Sequence, residues 1–209
     1  NPARLKGHME YLLPKVRIGT KNHHASLPYE ELPSFMAKLQ GESGMARYAL
    51  EFLILCASRT GEVVGARWDE IDLAKAIWTI PGERMKAGKE HRVPLGKRAL
   101  EILATVKPFS GKQFIFITGK KDVAMSTMAM SMLLRRMDHG DVTVHGMRST
   151  FRTWAGERSG YRFEVCEHAL AHRLSDAVAA AYLRSDFFAK RTLLMADWEK
   201  YCFSACTQD

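Results

Sequence analysis

Cysteine and proline are scarce in this chain, with 4 and 7 among 209 residues. The cysteines show no paired spacing of the kind a zinc site needs. Nothing calls for a disulfide framework, and a chain of this length buries enough apolar surface to fold without one. Cys56 sits in an apolar run and reads as core, while Cys166, Cys202 and Cys206 stand apart, so a reducing cytoplasm is the simple inference. No run of eighteen apolar residues exists, which excludes a membrane-spanning helix. No signal peptide opens the chain, because Asn1-Pro2-Ala3-Arg4 is polar. With no initiator Met, the chain looks like a fragment cut from something longer. Internal repeats and low-complexity tracts are also absent.

What is present is an ordinary globular balance, 46% hydrophobic and 26% charged, which excludes a disordered tail protein. The length suits one large domain with at most a short appendage. Lys and Arg number 31 against 23 Asp and Glu, a net charge of +8. A surplus of that size suits an anionic partner, nucleic acid first, although it also serves a solvated surface. Between Glu83 and Lys121 the balance is ten Lys and Arg against three Asp and Glu.

Residues 1–28 carry Gly7, Gly19, three prolines and five basic residues against one acid, and read as an interdomain linker. Pro33 suits the first turn of a helix through Leu39, with Phe35, Met36 and Leu39 inward. Ala46, Ala49, Leu50, Leu53, Ile54 and Ala57 recur at helical spacing and predict a buried helix. Thr60 resembles the N-cap of a further helix through about Arg67. Segments 76–80 and 90–95 read as two strands joined by a long basic loop. Helices are expected over about 97–107, 126–137, 146–158, 163–171, 176–184 and 187–203, with a short apolar run at Phe114–Ile117. Residues 29–209 thus read as one mainly α domain with a small antiparallel β-sheet (α+β), ending in a tail helix.

Four clusters carry possible chemistry. Ser58-Arg59-Thr60-Gly61-Glu62 places an Arg at a helix junction, poised toward a cleft or simply at the surface. Arg84-Met85-Lys86-Ala87-Gly88-Lys89 puts flexible ammonium groups on the loop, able to reach a phosphate. In His145-Gly146-Met147-Arg148 a spacing of three sets imidazole and guanidinium side by side on a helix. His172 is followed ten residues later by Tyr182, whose phenol could attack phosphorus. Each cluster alone is commonplace.

Taken in this order, Arg59 with Thr60-Gly61-Glu62, Lys86 in a hairpin, His145-x-x-Arg148, His172 and Tyr182 resemble the tyrosine recombinase (phage integrase) family. The flanking Arg67-Trp68-Asp69-Glu70-Ile71-Asp72 and His91-Arg92-Val93-Pro94-Leu95 look like prophage and genomic-island integrases. The resemblance covers about residues 25–190. Ala171 departs from the Gly the family often has before this His, one small residue for another.

The resemblance implies that residues 29–209 are the catalytic domain of a site-specific DNA recombinase. Tyr182 would be the nucleophile, leaving a 3′-phosphotyrosine and a free 5′-hydroxyl. Arg59 and Arg148 would stabilise charge on the non-bridging oxygens, with His145 helping remove the phenol proton. Lys86 would protonate the leaving oxygen, His172 would bond a phosphate oxygen, and Glu62 would fix its neighbours. No metal, cofactor or ATP is implied. The partners implied are double-stranded DNA attachment sites, a homotetramer in the synapse, a monomeric fragment in isolation and DNA-bending accessory proteins, in a bacterial cytoplasm.

Other readings stay open. Tyr161 and Tyr201 are alternative phenols without the spacing from His172. His168 and His172 lie four apart, as on a zinc-binding helix, but lack an obvious third ligand. A type IB topoisomerase shares the constellation, and a DNA-binding module without chemistry would fit the charge alone. The tail helix could fold back on its own domain or dock on a neighbouring protomer.

Overall fold

A computed structural model describes residues 25–119, 122–172 and 186–204. Pro33 sits in the first turn of α1 (Leu32–Gly41), where a missing N–H costs nothing, and Phe35, Met36 and Leu39 face inward as their spacing predicts. Helix α2 (Met45–Cys56) is apolar over most of its surface and forms the centre of the core. It ends in a turn where Ala57 takes φ 47° and its N–H bonds the Ile54 carbonyl, while Ser58 N–H bonds Leu53. That is a Schellman arrangement with an alanine at the left-handed position usually held by glycine.

Helix α3 (Thr60–Val64) is shorter than its sequence suggests, and Arg59 rather than Thr60 precedes its first turn. The Glu62 carboxylate accepts the Arg59 backbone N–H at 2.8 Å, so a cap from inside the helix replaces the expected Thr hydroxyl. The chain then enters a 3₁₀ turn at Trp68–Glu70.

Strands β1 (Ile71–Asp72), β2 (Ile77–Ile80) and β3 (His91–Pro94) form one antiparallel sheet in that order. Ile71 pairs with Trp78, and Ile80 with His91. Strand β1 escaped the sequence reading because two residues show no period. Phe114–Ile117 is not a strand; Phe114 and Ile117 make only isolated bridges to Arg67 and Ala124.

Helices α4 (Lys97–Val106), α5 (Met128–Arg136), α6 (Gly146–Glu157) and α7 (Phe163–Ala169) follow near their expected places. The helix expected over 176–184 lies outside the described residues. Helix α8 (Phe188–Cys202) packs on its own domain. Trp198 is fully buried against Phe151 and Trp154, and its indole N–H donates to the Ile54 carbonyl at 2.9 Å. Burying an aromatic and satisfying its one donor anchors α8 to α2, so the tail helix docks in cis. Leu27 is also buried, and Thr150 donates to its carbonyl at 2.6 Å, tying the chain ahead of α1 to α6. No helix among the described residues is long and apolar enough to cross a membrane.

Candidate active site

Arg59, Gly61, Glu62, Glu83, Arg84, Met85 and Lys86 line one open cleft of about 560 Å³. It lies where the start of α3 faces the loop between β2 and β3. Lys86 lines it and Lys89 does not. The Arg59 guanidinium is held by Glu62 Oε1 at 2.7 Å, with Glu62 itself buried. One carboxylate thus fixes both the backbone and the side chain of Arg59.

Arg148 comes from the first turn of α6 and is 5% exposed. One of its terminal nitrogens donates to the Ala57 carbonyl, and the other donates to the Leu170 carbonyl at 2.7 Å. Both acceptors stand at helix C-termini, Ala57 closing α2 and Leu170 closing α7. Helix ends present unpaired carbonyls and partial negative charge, so they suit a guanidinium. Burial, and then the nearby Arg59, still bring the Arg148 pKa down to about 10. It remains a cation at neutral pH. Arg59 approaches the same Leu170 carbonyl at 3.4 Å, so two cations from distant elements converge on one point.

His172 completes this cluster. Its Nε2 lies 3.3 Å from Arg148, and its Nδ1 lies 2.9 Å from Glu167 Oε2. Arginine can only donate, so Nε2 accepts and the ring proton sits on Nδ1 facing the carboxylate. The His172 hydrogen bond, opposed by burial and aided by Arg152, holds the Glu167 carboxyl below its ordinary range. Ala171, at φ 49°, makes this possible: α7 ends in a second Schellman turn, with Ala171 N–H on His168 and His172 N–H on Glu167. The departure from glycine is therefore more than a swap of small residues, since this backbone region favours glycine.

That turn also carries His172 off the helix, so His168 and His172 do not share one helical face. His168 instead packs edge-on to Phe187. Among the described residues no group of three or more His, Cys, Asp or Glu is placed to hold a metal ion. His145 precedes the first residue of α6 and is exposed, and its carbonyl accepts the Arg148 N–H at 3.1 Å. Tyr182 lies outside the described residues. Asp186 ties the start of α8 to β3 through Arg92 at 2.6 Å and the buried Arg191 at 3.1 Å. Tyr161 donates to Asp197 at 2.7 Å and Tyr201 to the Tyr29 carbonyl at 3.1 Å.

Three neighbours of the site were not singled out from sequence. Glu167 precedes His172 by five residues, a spacing that pairs side chains only if the helix breaks. Arg84 lines the cleft but sits in a run of basic residues that hides it. His91 on β3 is partly buried; burial, and then Arg191, push its pKa down to about 4. Its neutral ring sits among Glu62, Arg148 and Arg191.

The chain is also similar to known proteins. The sequence model of the phage integrase family matches residues 26–188. Prophage integrase IntA of Escherichia coli is 36% identical over 197 residues, covering 89% of this chain and 48% of that protein. The integrase of Enterobacteria phage P4 is 32% identical over 199 residues, covering 86% of this chain and 45% of that protein. The chain thus spans about half the length of the curated relatives it matches. Among solved structures, a lambda integrase dimer bound to a COC′ core site superposes with a TM-score of 0.59 at 20% identity, covering 88% of this chain and 54% of that one. XerA recombinase gives a TM-score of 0.57 at 17% identity, covering 84% and 60%.

Proposed function

Because this chain belongs to the phage integrase family, we propose that it is the catalytic part of a site-specific DNA recombinase that cuts and rejoins DNA through a 3′-phosphotyrosine. The observation that carries the reading is the convergence of Arg59 and Arg148 on the Leu170 carbonyl beside His172. Two guanidinium groups gathered in a partly dry site form a receptor for a bridging phosphate, and they stabilise charge that grows on its non-bridging oxygens.

In this reading the Tyr182 phenol oxygen attacks phosphorus and the bond to the 5′-oxygen breaks. The phenol proton leaves toward His145, and the departing 5′-oxygen takes a proton from Lys86. The ester energy passes into the tyrosyl link, so no ATP is consumed and no metal is required. Glu62 keeps Arg59 in place, and Glu167 holds the His172 ring beside Arg148. Residues 29–209 then form the catalytic domain and 1–28 the link to what precedes it. A prophage integrase among the relatives named above supports a prophage role, with a genomic island as the alternative element.

The partners are double-stranded DNA at attachment sites and further copies of the protein, with DNA-bending proteins as accessories. Lambda integrase has been solved as a dimer bound to a COC′ core site and as a tetramer bound to a Holliday junction, which supports a homotetrameric synapse here. Trapping the covalent adduct on a nicked suicide substrate and mapping the modified residue tests the reading. Tyr182 is the expected site; an adduct on another residue, or none at all with bound DNA, overturns it.

A further inference from the structure

The loop that carries Lys86 is joined to helix α3, which Arg59 caps, by a side chain that the chemistry above does not use. Arg84 stands two residues ahead of Lys86, and its side chain is 15% exposed. One terminal nitrogen donates to both oxygens of Glu70, and the other donates to the Glu62 carbonyl at 2.5 Å. Glu70 is itself buried and receives the Trp78 indole N–H at 2.9 Å. Glu62, through its carboxylate, grips Arg59. Arg84 is therefore the middle of a chain of contacts that runs from β2 to Arg59.

The surroundings are shaped to this guanidinium. A Cβ at Gly65 would lie 2.9 Å from Arg84 Nη2, so α3 gives up a side chain where Arg84 passes. Met85 is buried beneath the loop, and Gly88, at φ 68°, turns the chain back so that its N–H bonds the Met85 carbonyl at 2.9 Å. With Arg84 and Met85 both held inward, Lys86 is the next side chain free to project, and it lines the cleft with Arg59.

We propose that Arg84, with Glu70 as its partner, is a positioning residue that sets the Lys86 ammonium against the Arg59 side of the cleft for proton delivery. The inference rests on Lys86 being the general acid. A planar fork held by two oxygens of one carboxylate and a carbonyl fixes direction as well as distance, which lysine cannot reproduce. Misplacement of an acid by about an ångström costs on the order of 10²-fold in rate.

The test uses the 209-residue chain and paired DNA substrates, one normal and one with sulfur replacing the 5′-bridging oxygen. A thiolate leaves without help from an acid, because a thiol pKa is near 8.5. Arg84→Lys and Glu70→Gln should each lose on the order of 10²-fold in adduct formation on normal DNA. Both should come within about threefold of the parent chain on the sulfur substrate if only acid delivery is impaired. Gly65→Ala, whose Cβ would come within 2.9 Å of the guanidinium and force it to shift, should show the same pattern. Equal losses on both substrates, or no loss on either, overturn the inference. Lys86→Ala separates the two levels. If it is rescued by sulfur while Arg84→Lys is not, the positioning role alone falls. If Lys86→Ala is not rescued, the assignment of Lys86 as the acid is refuted and the role of Arg84 toward it falls too. Cooperative thermal unfolding of each variant identifies any that lose the fold, and the Gly65→Ala result then decides.

Discussion

Replacing Arg148 by methionine should abolish chemistry while leaving the fold standing, and the reason lies in how its charge is housed. The side chain is 5% exposed, and burial followed by the proximity of Arg59 lowers its pKa to about 10, well below the usual guanidinium range. At 1.36 kcal/mol per unit, keeping this cation protonated at neutral pH costs the folded state about 3 kcal/mol. The sign follows from linkage: with the folded pKa depressed, the charge opposes folding below pH 10, and the penalty fades only as pH rises toward the unfolded value. Against this, the guanidinium satisfies two helix-terminal carbonyls, Ala57 and Leu170. Leaving each without a donor costs about 1–3 kcal/mol. Methionine fills similar volume, so the two effects largely offset and the net change should stay within about 3 kcal/mol.

Catalysis has no such compensation. Losing a preorganised donor to a developing oxyanion costs on the order of 10²–10³-fold, and the sulfur substrate offers no relief because the loss is not in the leaving group. Chemical denaturation read alongside adduct formation at saturating DNA separates the two effects. A variant that keeps adduct formation within about tenfold of the parent chain would refute the anion-receptor reading. So would one whose sulfur substrate restores the rate.

Tyr182→Phe should keep DNA binding and lose the covalent adduct; a surviving adduct would point to another phenol. Tyr161 is a poor substitute, because burial, and then Asp197, push its pKa up to about 12. Cleavage should persist in excess chelator, and activity that vanished and returned with zinc or magnesium would contradict the Arg-pair mechanism. DNA binding should weaken steeply as salt rises, since phosphate contacts release counterions; an affinity indifferent to salt would argue against them. Acid should destabilise the fold. His91 has its folded pKa depressed to about 4, so its contribution is complete above its unfolded pKa near 6.5 and is lost as pH falls through that window. Glu167, also held low, adds to the loss at still lower pH. His91→Gln should flatten the decline between pH 6.5 and 4 in urea melts, and an unchanged slope would remove His91 as its source.

Much of this architecture was legible in the residues because it depends on period. Helices α1, α2 and α4 announce themselves by apolar spacing and by Pro33, and the β2–β3 pair by its change of period. The two-residue β1 and the start of α3 at Thr60 were not legible, since the first shows no alternation and the second depends on Glu62 reaching back to Arg59. The candidate site divides along the same line. Arg59, Lys86, Arg148 and His172 could be picked out only as an ordered set. Their anchors, the carbonyls of Ala57 and Leu170, belong to every residue type and leave no mark in a sequence. Glu167 was hidden for a geometric reason: five residues before His172 is the wrong helical spacing until Ala171 breaks the helix.

That break shows how site and backbone are coupled. Ala57 and Ala171 both take left-handed angles at helix ends, and each turn presents a carbonyl to Arg148. An L-residue in this region costs about 1–2 kcal/mol, and glycine there gives back about 0.5–1 kcal/mol through its greater freedom in the unfolded chain. Ala171→Gly should therefore raise stability by about 0.5–1 kcal/mol and leave adduct formation unchanged, because the Leu170 carbonyl and the His172–Glu167 pair keep their places. Differential thermal melts with parallel adduct assays check both parts. A destabilised Ala171→Gly variant would mean that the methyl group contributes more by packing than it costs by strain. If stability rose and cleavage fell, the strained turn would instead be holding Leu170 and His172 against a competing arrangement, and the rigidity of Ala171 would belong to the mechanism.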